Sequence, residues 1–180
     1  MLLNPVAEIA QLRSRHLASE RDIKLGGGAA HNVTSASGTH LDIEITFKGL
    51  TALSTAGRAT FQPTATVFAG DGSSEHPISW QCDQNSSALK QDVGSGGWIH
   101  GTTGGGPLAL RASQDSLSVP VLVDASVLEA FWDGGRARYT AHTNGDLQGN
   151  AGVMVGAGEI DNGVVSADID VYEMSSMWLS

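Results

Sequence analysis

The residues whose types and spacing bear most directly on chemistry are two carboxylates. Asp124 and Glu129 stand five positions apart in the segment Val123-Asp-Ala-Ser-Val-Leu-Glu-Ala-Phe131. A carboxyl pair is the machinery of glycoside hydrolysis, with separations of about 5–5.5 Å in retaining enzymes and about 6.5–9.5 Å in inverting ones. On one continuous strand the two side chains would face opposite sides and lie ~16 Å apart, which disqualifies them. If Ala125-Ser126 is a tight turn, they become diagonal neighbours on a hairpin at roughly 7–8 Å, which passes the distance test. Asp and Ser beside a turn are also ordinary turn chemistry, and the structural reading of the pair stands ahead of the catalytic one.

Sugar binding asks for less: an aromatic face to stack on C–H groups, and a carboxylate or amide to fix hydroxyls. Trp80, Trp98 and Trp132 lie in or beside turn-rich stretches, and Trp132 is followed directly by Asp133-Gly134. These four residues, Trp80, Trp98, Trp132 and Asp133, are the candidate carbohydrate contacts, with Trp132 the most exposed in appearance. For each tryptophan the reading as a core or groove filler stands ahead of the sugar platform, since a large apolar ring with one polar N–H packs readily inside. Other chemistries find less support. The six histidines, at 16, 31, 40, 76, 100 and 142, form neither His-x-His nor His-Glu-x-x-His, and Cys82 is the only cysteine. No metal, disulfide or cofactor is therefore expected. Gly26-Gly-Gly28 and Gly104-Gly-Gly106 lack the spacing of a phosphate-binding loop, and no Gly-x-Ser-x-Gly elbow occurs.

The elements that must position these residues are short strands. Leu41-Asp-Ile-Glu-Ile-Thr-Phe47 alternates apolar and polar without a fault, and Ala167-Asp-Ile-Asp-Val171 repeats the pattern near the end. Further strands are expected over Thr64–Phe68, Ile78–Cys82, Leu108–Arg111, Val119–Val123, Val127–Trp132, Ala137–His142 and Gly152–Val155. Asp71-Gly72, Asp133-Gly134, Asn144-Gly145 and Asp161-Asn-Gly163 fall between them and supply the positive φ of hairpin turns. Pro120 inside a strand points to an edge or a bulge. The stretch Gly94–Gly106 is mostly glycine and reads as a flexible loop, with display of Trp98 as the sharper alternative. Before Asp22 the periodicity and Pro5 predict a short helix. The chain thus divides into an N-terminal linker helix, 1–20, and an all-β domain, 21–180: a two-sheet antiparallel β-sandwich of jelly-roll or lectin-like type.

At 180 residues the chain can build a full core without covalent help. Lys and Arg number 10 against 19 Asp and Glu, a net charge of −9. That balance argues against nucleic acid and anionic membrane surfaces as partners. No apolar run reaches the length of a membrane span, and the opening segment, with Pro5 and Glu8 early and no basic stretch, is not expected to act as a signal peptide. Sequons at Asn32 and Asn85 give a faint hint of a secretory origin.

Three segments, in order, resemble the C-terminal β-sandwich domain of the family 32 glycoside hydrolases, the invertases, inulinases, levanases and fructosyltransferases. Asn4-Pro-Val-Ala-Glu-Ile-Ala-Gln-Leu-Arg13 is similar to that family's NPVxELxxLR, where the chain leaves a catalytic propeller. Leu122–Phe131, followed by Asp133-Gly-Gly-Arg-Ala137, resembles LVDxSxVExF…GGRA and is the most specific of the three. Val171-Tyr-Glu-Met-Ser-Ser-Met-Trp178 resembles the terminal WxMKSIW, with Ser where Lys is usual, and Leu41–Phe47 resembles LDIEVEF. The resemblance implies that Asp124, Ser126, Glu129, Phe131 and Arg136 form a structural hairpin, since the family's catalytic WMNDPNG-like, RDP and EC motifs sit in the propeller and do not occur here. It implies an accessory role: shielding and stabilising a propeller, with an apolar patch near the first helix and Trp178, or assisting a homodimer. A lectin-like module for fructan or sucrose is the alternative, and an extracytoplasmic, secreted or vacuolar, location follows from the resemblance alone.

Overall fold

The computed structural model describes residues 5, 7–53, 58, 60–82, 97–101, 104–111, 113–124, 126–143, 147, 150–161 and 163–175, with backbone alone for 82, 97, 98, 104 and 105. Twelve strands form two six-stranded sheets, and every pairing is antiparallel. The first sheet runs, in spatial order, β1 (Arg13–Leu25), β12 (Val165–Met174), β3 (His40–Lys48), β8 (Ser116–Asp124), β9 (Val127–Trp132) and β10 (Ala137–His142). The second runs β2 (His31–Asn32), β11 (Ala151–Gly158), β4 (Phe61–Ala69), β5 (Glu75–Cys82), β6 (Gly97–Gly101) and β7 (Gly104–Pro107).

Strict alternation builds the core. Leu41, Ile43, Ile45 and Phe47 of β3 all turn inward and are buried, and Val165, Ala167, Ile169 and Val171 of β12 do the same beside them. The second sheet answers with Phe61, Ala65 and Val67 of β4 and with Ile78 and Trp80 of β5. The sheets meet through an aromatic chain: Phe47 stands edge-on to Phe61 at 6.4 Å between ring centres, and Phe61 lies 6.1 Å from Trp80. Such edge-on contacts place the positive rim of one ring against the negative face of the next.

The β-sandwich agrees with the sequence-based expectation, and several details differ. The N-terminal helix is a six-residue 3-10 turn, Ala7–Leu12, and Arg13 already begins β1. Register shifts interrupt β1 at three places, between Arg13 and Arg15, His16 and Ala18, and Glu20 and Ile23. Each shift breaks the period of two, so the strand carries no alternating signature. The glycine-rich stretch expected as a flexible loop contributes the β6–β7 hairpin instead. One glycine there has a steric reason: a Cβ at Gly101 would stand 2.2 Å from the Tyr139 ring. The bare backbone at Gly101 lets β6 of the second sheet close down upon Tyr139 of β10 in the first. Leu108–Arg111 forms no strand; the Leu108 carbonyl accepts a 2.7 Å hydrogen bond from Trp80 Nε1.

Asp71-Gly72 and Asp133-Gly134 close the β4–β5 and β9–β10 hairpins as expected, with Gly72 N–H donating to the Ala69 carbonyl at 2.8 Å. The Asp161–Gly163 segment does not close a hairpin, because β11 and β12 belong to different sheets. Asn144-Gly145 lies outside the described residues. Pro120 pairs with Glu44 on β3, while the β8–β9 ladder covers only Val121 to Asp124. Its missing N–H therefore falls where one side of β8 has become an edge, the position that tolerates proline.

Candidate functional site

The motif Leu122–Ala137 folds as the β8–β9–β10 meander. Asp124 pairs with Val127 and Leu122 with Glu129, so the tight-turn alternative is realised and the carboxylates are diagonal neighbours. Their partners are structural. Asp124 Oδ1 lies 3.2 Å from His40 Nε2, and Glu129 Oε1 accepts from Thr140 Oγ1 at 3.1 Å. Ser126 contributes its carbonyl, which accepts from Thr143 N–H at 2.7 Å. Phe131 is buried although it sits on the outward-facing register of β9. Asp133, held at a positive φ of 50°, ion-pairs with Arg136 three residues on and accepts from Gln114 Nε2 at 3.2 Å. Arg136 also donates to the Ala109 carbonyl at 2.9 Å. Asp133 and Arg136 thus clamp the turn to the loop before β8.

The tryptophans are not a sugar platform as a group. Trp80 and Trp132 are both 0% exposed, so neither ring face meets solvent. For Trp132 this corrects the exposure inferred from the adjacent turn. The alternation Leu128, Ala130, Trp132 against Val127, Glu129, Phe131 carried the signal, because it puts Trp132 with the inward set. Trp132 Nε1 is buried without a hydrogen-bond partner among the described residues. In the register Trp98 lies opposite Gln81 and Pro107, and its side chain is outside the description, as is all of Trp178.

Polar residues on the outer face of the first sheet are spent on one another. Arg13 Nε binds Asp42 at 2.7 Å, its guanidinium also pairs with Glu44, and it lies 3.9 Å over the Tyr172 ring. His16 stacks on the same ring at 4.6 Å and contacts Asp170, whose two carboxylate oxygens both accept from Arg21 Nη2. Lys48 pairs with Asp168, whose Oδ1 also accepts the Asp22 backbone N–H at 3.0 Å. Burial pushes the Asp42 carboxyl above its ordinary value, and Arg13 only partly offsets it. Partial burial pushes Asp168 and Asp170 up too, but Lys48 on the one and Arg21 on the other prevail and hold both below the usual carboxylate range.

The outer face of the second sheet is different. A groove of about 560 Å³ runs over β4 and β11, bounded by the β1–β2 turn. Gln62, Thr64 and Thr66 project from β4, Gln81 from β5, and Glu159 borders the far side. Its floor is Gly156 and Gly158, which carry no side chains to fill it. Gly28 forms part of the wall, where a Cβ would stand 2.5 Å from Glu159 Oε1. Among the described residues the amides of Gln62 and Gln81 and the carboxylate of Glu159 have no hydrogen-bond or ion-pair partner. Sequence reasoning passed over this groove because its lining comes from segments far apart in the chain. The one local signal was Gln62-Pro-Thr-Ala-Thr66, polar at every outward position of a strand. No group of three metal-ligating side chains occurs among the described residues, and no helix there is long and apolar enough to cross a membrane.

The family model described as "Glycosyl hydrolases family 32 C terminal" matches residues 8–166. The chain belongs to this family. Solved structures agree on the fold of the family 32 C-terminal domain. Fructan 1-exohydrolase IIa from Cichorium intybus matches with a TM-score of 0.73 and 18% identity, over 97% of this chain and 38% of that one. The β-fructofuranosidase from Schwanniomyces occidentalis, solved with fructosyl-erythritol, matches with a TM-score of 0.60 and 17% identity, over 97% of this chain and 36% of that one. Sucrose-6-phosphate hydrolase from Lactobacillus gasseri matches with a TM-score of 0.51 and 14% identity, over 97% of this chain and 31% of that one. The chain therefore spans well under half the length of the enzymes it matches. No curated protein matches it by sequence.

Proposed function

We propose that this chain is the non-catalytic accessory domain of a fructosidase-type glycoside hydrolase, packing against a catalytic propeller and stabilising it. The observation that carries the reading is the coverage: nearly all of this chain corresponds to just over a third of fructan 1-exohydrolase IIa. The chemistry on the chain supports it. Asp124 and Glu129 are diagonal neighbours whose carboxylates contact His40 and Thr140, and the propeller's sequence motifs are not in the chain.

The docking face is the outer side of β8 and β9 beneath the Ala7–Leu12 turn. Half-buried Pro120, Leu122 and Ile9 border a cavity of about 360 Å³ there beside the Arg13–Asp42–Glu44 ion cluster, and Val127 on β9 is 36% exposed. Apolar surface of this kind is what a covering partner buries. The test pairs two measurements. The chain alone is assayed for fructose release from sucrose, inulin and levan, with none expected. It is then added to a family 32 propeller lacking its own C-terminal domain, whose thermal midpoint should rise, and Val127→Glu should abolish the rise. Fructose release by the chain alone that disappears with Asp124→Asn, or a propeller whose midpoint the chain leaves unmoved, overturns the reading.

A further inference from the structure

We propose that the groove on the outer face of the second sheet is a binding site for a neutral saccharide, independent of any propeller contact. Its volume, about 560 Å³, falls within the roughly 300–1,000 Å³ of small-molecule sites. Its chemistry selects the ligand class by elimination. Among the described lining residues there is no lysine, arginine or histidine, so none of them would compensate a phosphate or carboxylate. Glu159 is the one carboxylate among them, and a single carboxylate does not make a cation site. Of the apolar lining residues Phe61 and Val155 are buried and Ala29 and Ala30 are small, which leaves no continuous apolar surface for a lipid or an aromatic ligand. What remains is a set of neutral donors and acceptors suited to hydroxyl groups. Gln62 and Gln81 present amides that both donate and accept, Thr66 presents a hydroxyl, Thr64 presents a hydroxyl oxygen whose proton goes to the Gln62 backbone carbonyl at 3.1 Å, and Glu159 can accept from two adjacent hydroxyls at once.

Two features separate this surface from an ordinary solvated sheet. Among the described residues the amides and the carboxylate are uncommitted, whereas Arg13, Arg21 and Lys48 on the outer face of the first sheet are all paired. The floor is also emptied of side chains: at Gly156 the backbone is ordinary, and a Cβ would meet nothing closer than the Ala29 carbonyl oxygen at 3.8 Å. Neither φ nor packing demands glycine at 156, and a side chain there would occupy the groove. Binding will be weak, because an open site makes its hydrogen bonds in competition with water.

The experiment is an amide-resolved NMR titration of the intact chain with sucrose, 1-kestose and maltose at millimolar concentrations. The expected result is saturable shifts confined to residues 60–66, 81 and 155–159 with at least one of these sugars. Gln62→Ala with Gln81→Ala should weaken that binding by at least about tenfold, which is roughly the worth of one lost hydrogen bond. Gly156→Val, which suits a strand and fills the floor, should abolish it while leaving the rest of the spectrum in place. Arg138→Ala, on the opposite sheet, should bind as the parent does. Absence of saturable shifts with all three sugars, or binding that survives Gly156→Val in a chain whose spectrum shows it folded, overturns the proposal.

Discussion

The two sheets share one core yet treat their outer faces in opposite ways. On the first, across β1, β12 and β3, nearly every charge is answered: Arg13 by Asp42 and Glu44, Arg21 by Asp170, Lys48 by Asp168. On the second, amides and hydroxyls stand over bare glycine with little intramolecular employment. Polar groups that satisfy one another hold strands in register; polar groups that bond only to water at a surface can exchange that water for a ligand. The same fold can thus carry a structural face and a recognition face back to back, separated by one hydrophobic layer.

The contrast can be broken at its foundation. Both faces depend on the shared core, so Trp132→Ala should cost about 3–5 kcal/mol and loosen the two together, as urea denaturation would show. Trp132→Phe should cost far less, because the indole N–H it removes has no partner among the described residues. A larger loss from the phenylalanine variant would mean that the N–H is satisfied after all.

The next effect is confined to the structural face. Arg13→Ala strands the Asp42 carboxylate, whose side chain is only 6% exposed, and removes the cation above Tyr172. A loss of about 1–3 kcal/mol is expected, with Asp42→Asn costing less because a neutral amide tolerates burial better. Equal losses in the two variants would locate the energy in packing and not in charge.

Acid sharpens the comparison further. Asp168 and Asp170 titrate lower in the folded chain than in the unfolded one. They therefore contribute stability that is fully present above the ordinary aspartate value, about pH 4, and is lost as the pH falls from there through their lowered folded-state values. Asp42 has the opposite sign: its folded-state value is raised, so protonation relieves a penalty as the pH falls. Asp168→Asn with Asp170→Asn should flatten the acid limb of the stability profile, and Asp42→Asn should steepen it. The smallest effect belongs to the second face. Gln62→Ala and Gln81→Ala should each move stability by no more than about 0.5 kcal/mol, since their amides hold nothing in place.

The parts legible in the sequence were those with local signatures. Leu41–Phe47 alternates perfectly and became β3; Val127–Trp132 and Ala137–His142 joined by Asp133-Gly134 became β9 and β10 with the expected bounds. β1 was invisible because its three register shifts destroy the alternation that marks a strand. The β6–β7 hairpin was invisible because glycine has no strand preference, and the reason for Gly101 lies at Tyr139, far along the chain. The groove is illegible for the same reason on a larger scale, since residues from 28 to 159 assemble it. Asp124 and Glu129 show the converse. Their spacing was readable, yet their partners His40 and Thr140 decide what they do, and only the fold supplies those.

The pairing of β1 with β12 has a mechanical consequence. The first and last strands lie side by side with Arg13 opposite Met174, and Ser175 N–H reaches the Leu12 carbonyl at 2.8 Å. A tether pulling on both ends would load this seam at one end, parting its rungs in succession as a zipper opens. Such a domain yields to modest tension by peeling off its outermost strand. For the same reason it can be spliced into a loop of a larger protein with hardly any gap to bridge.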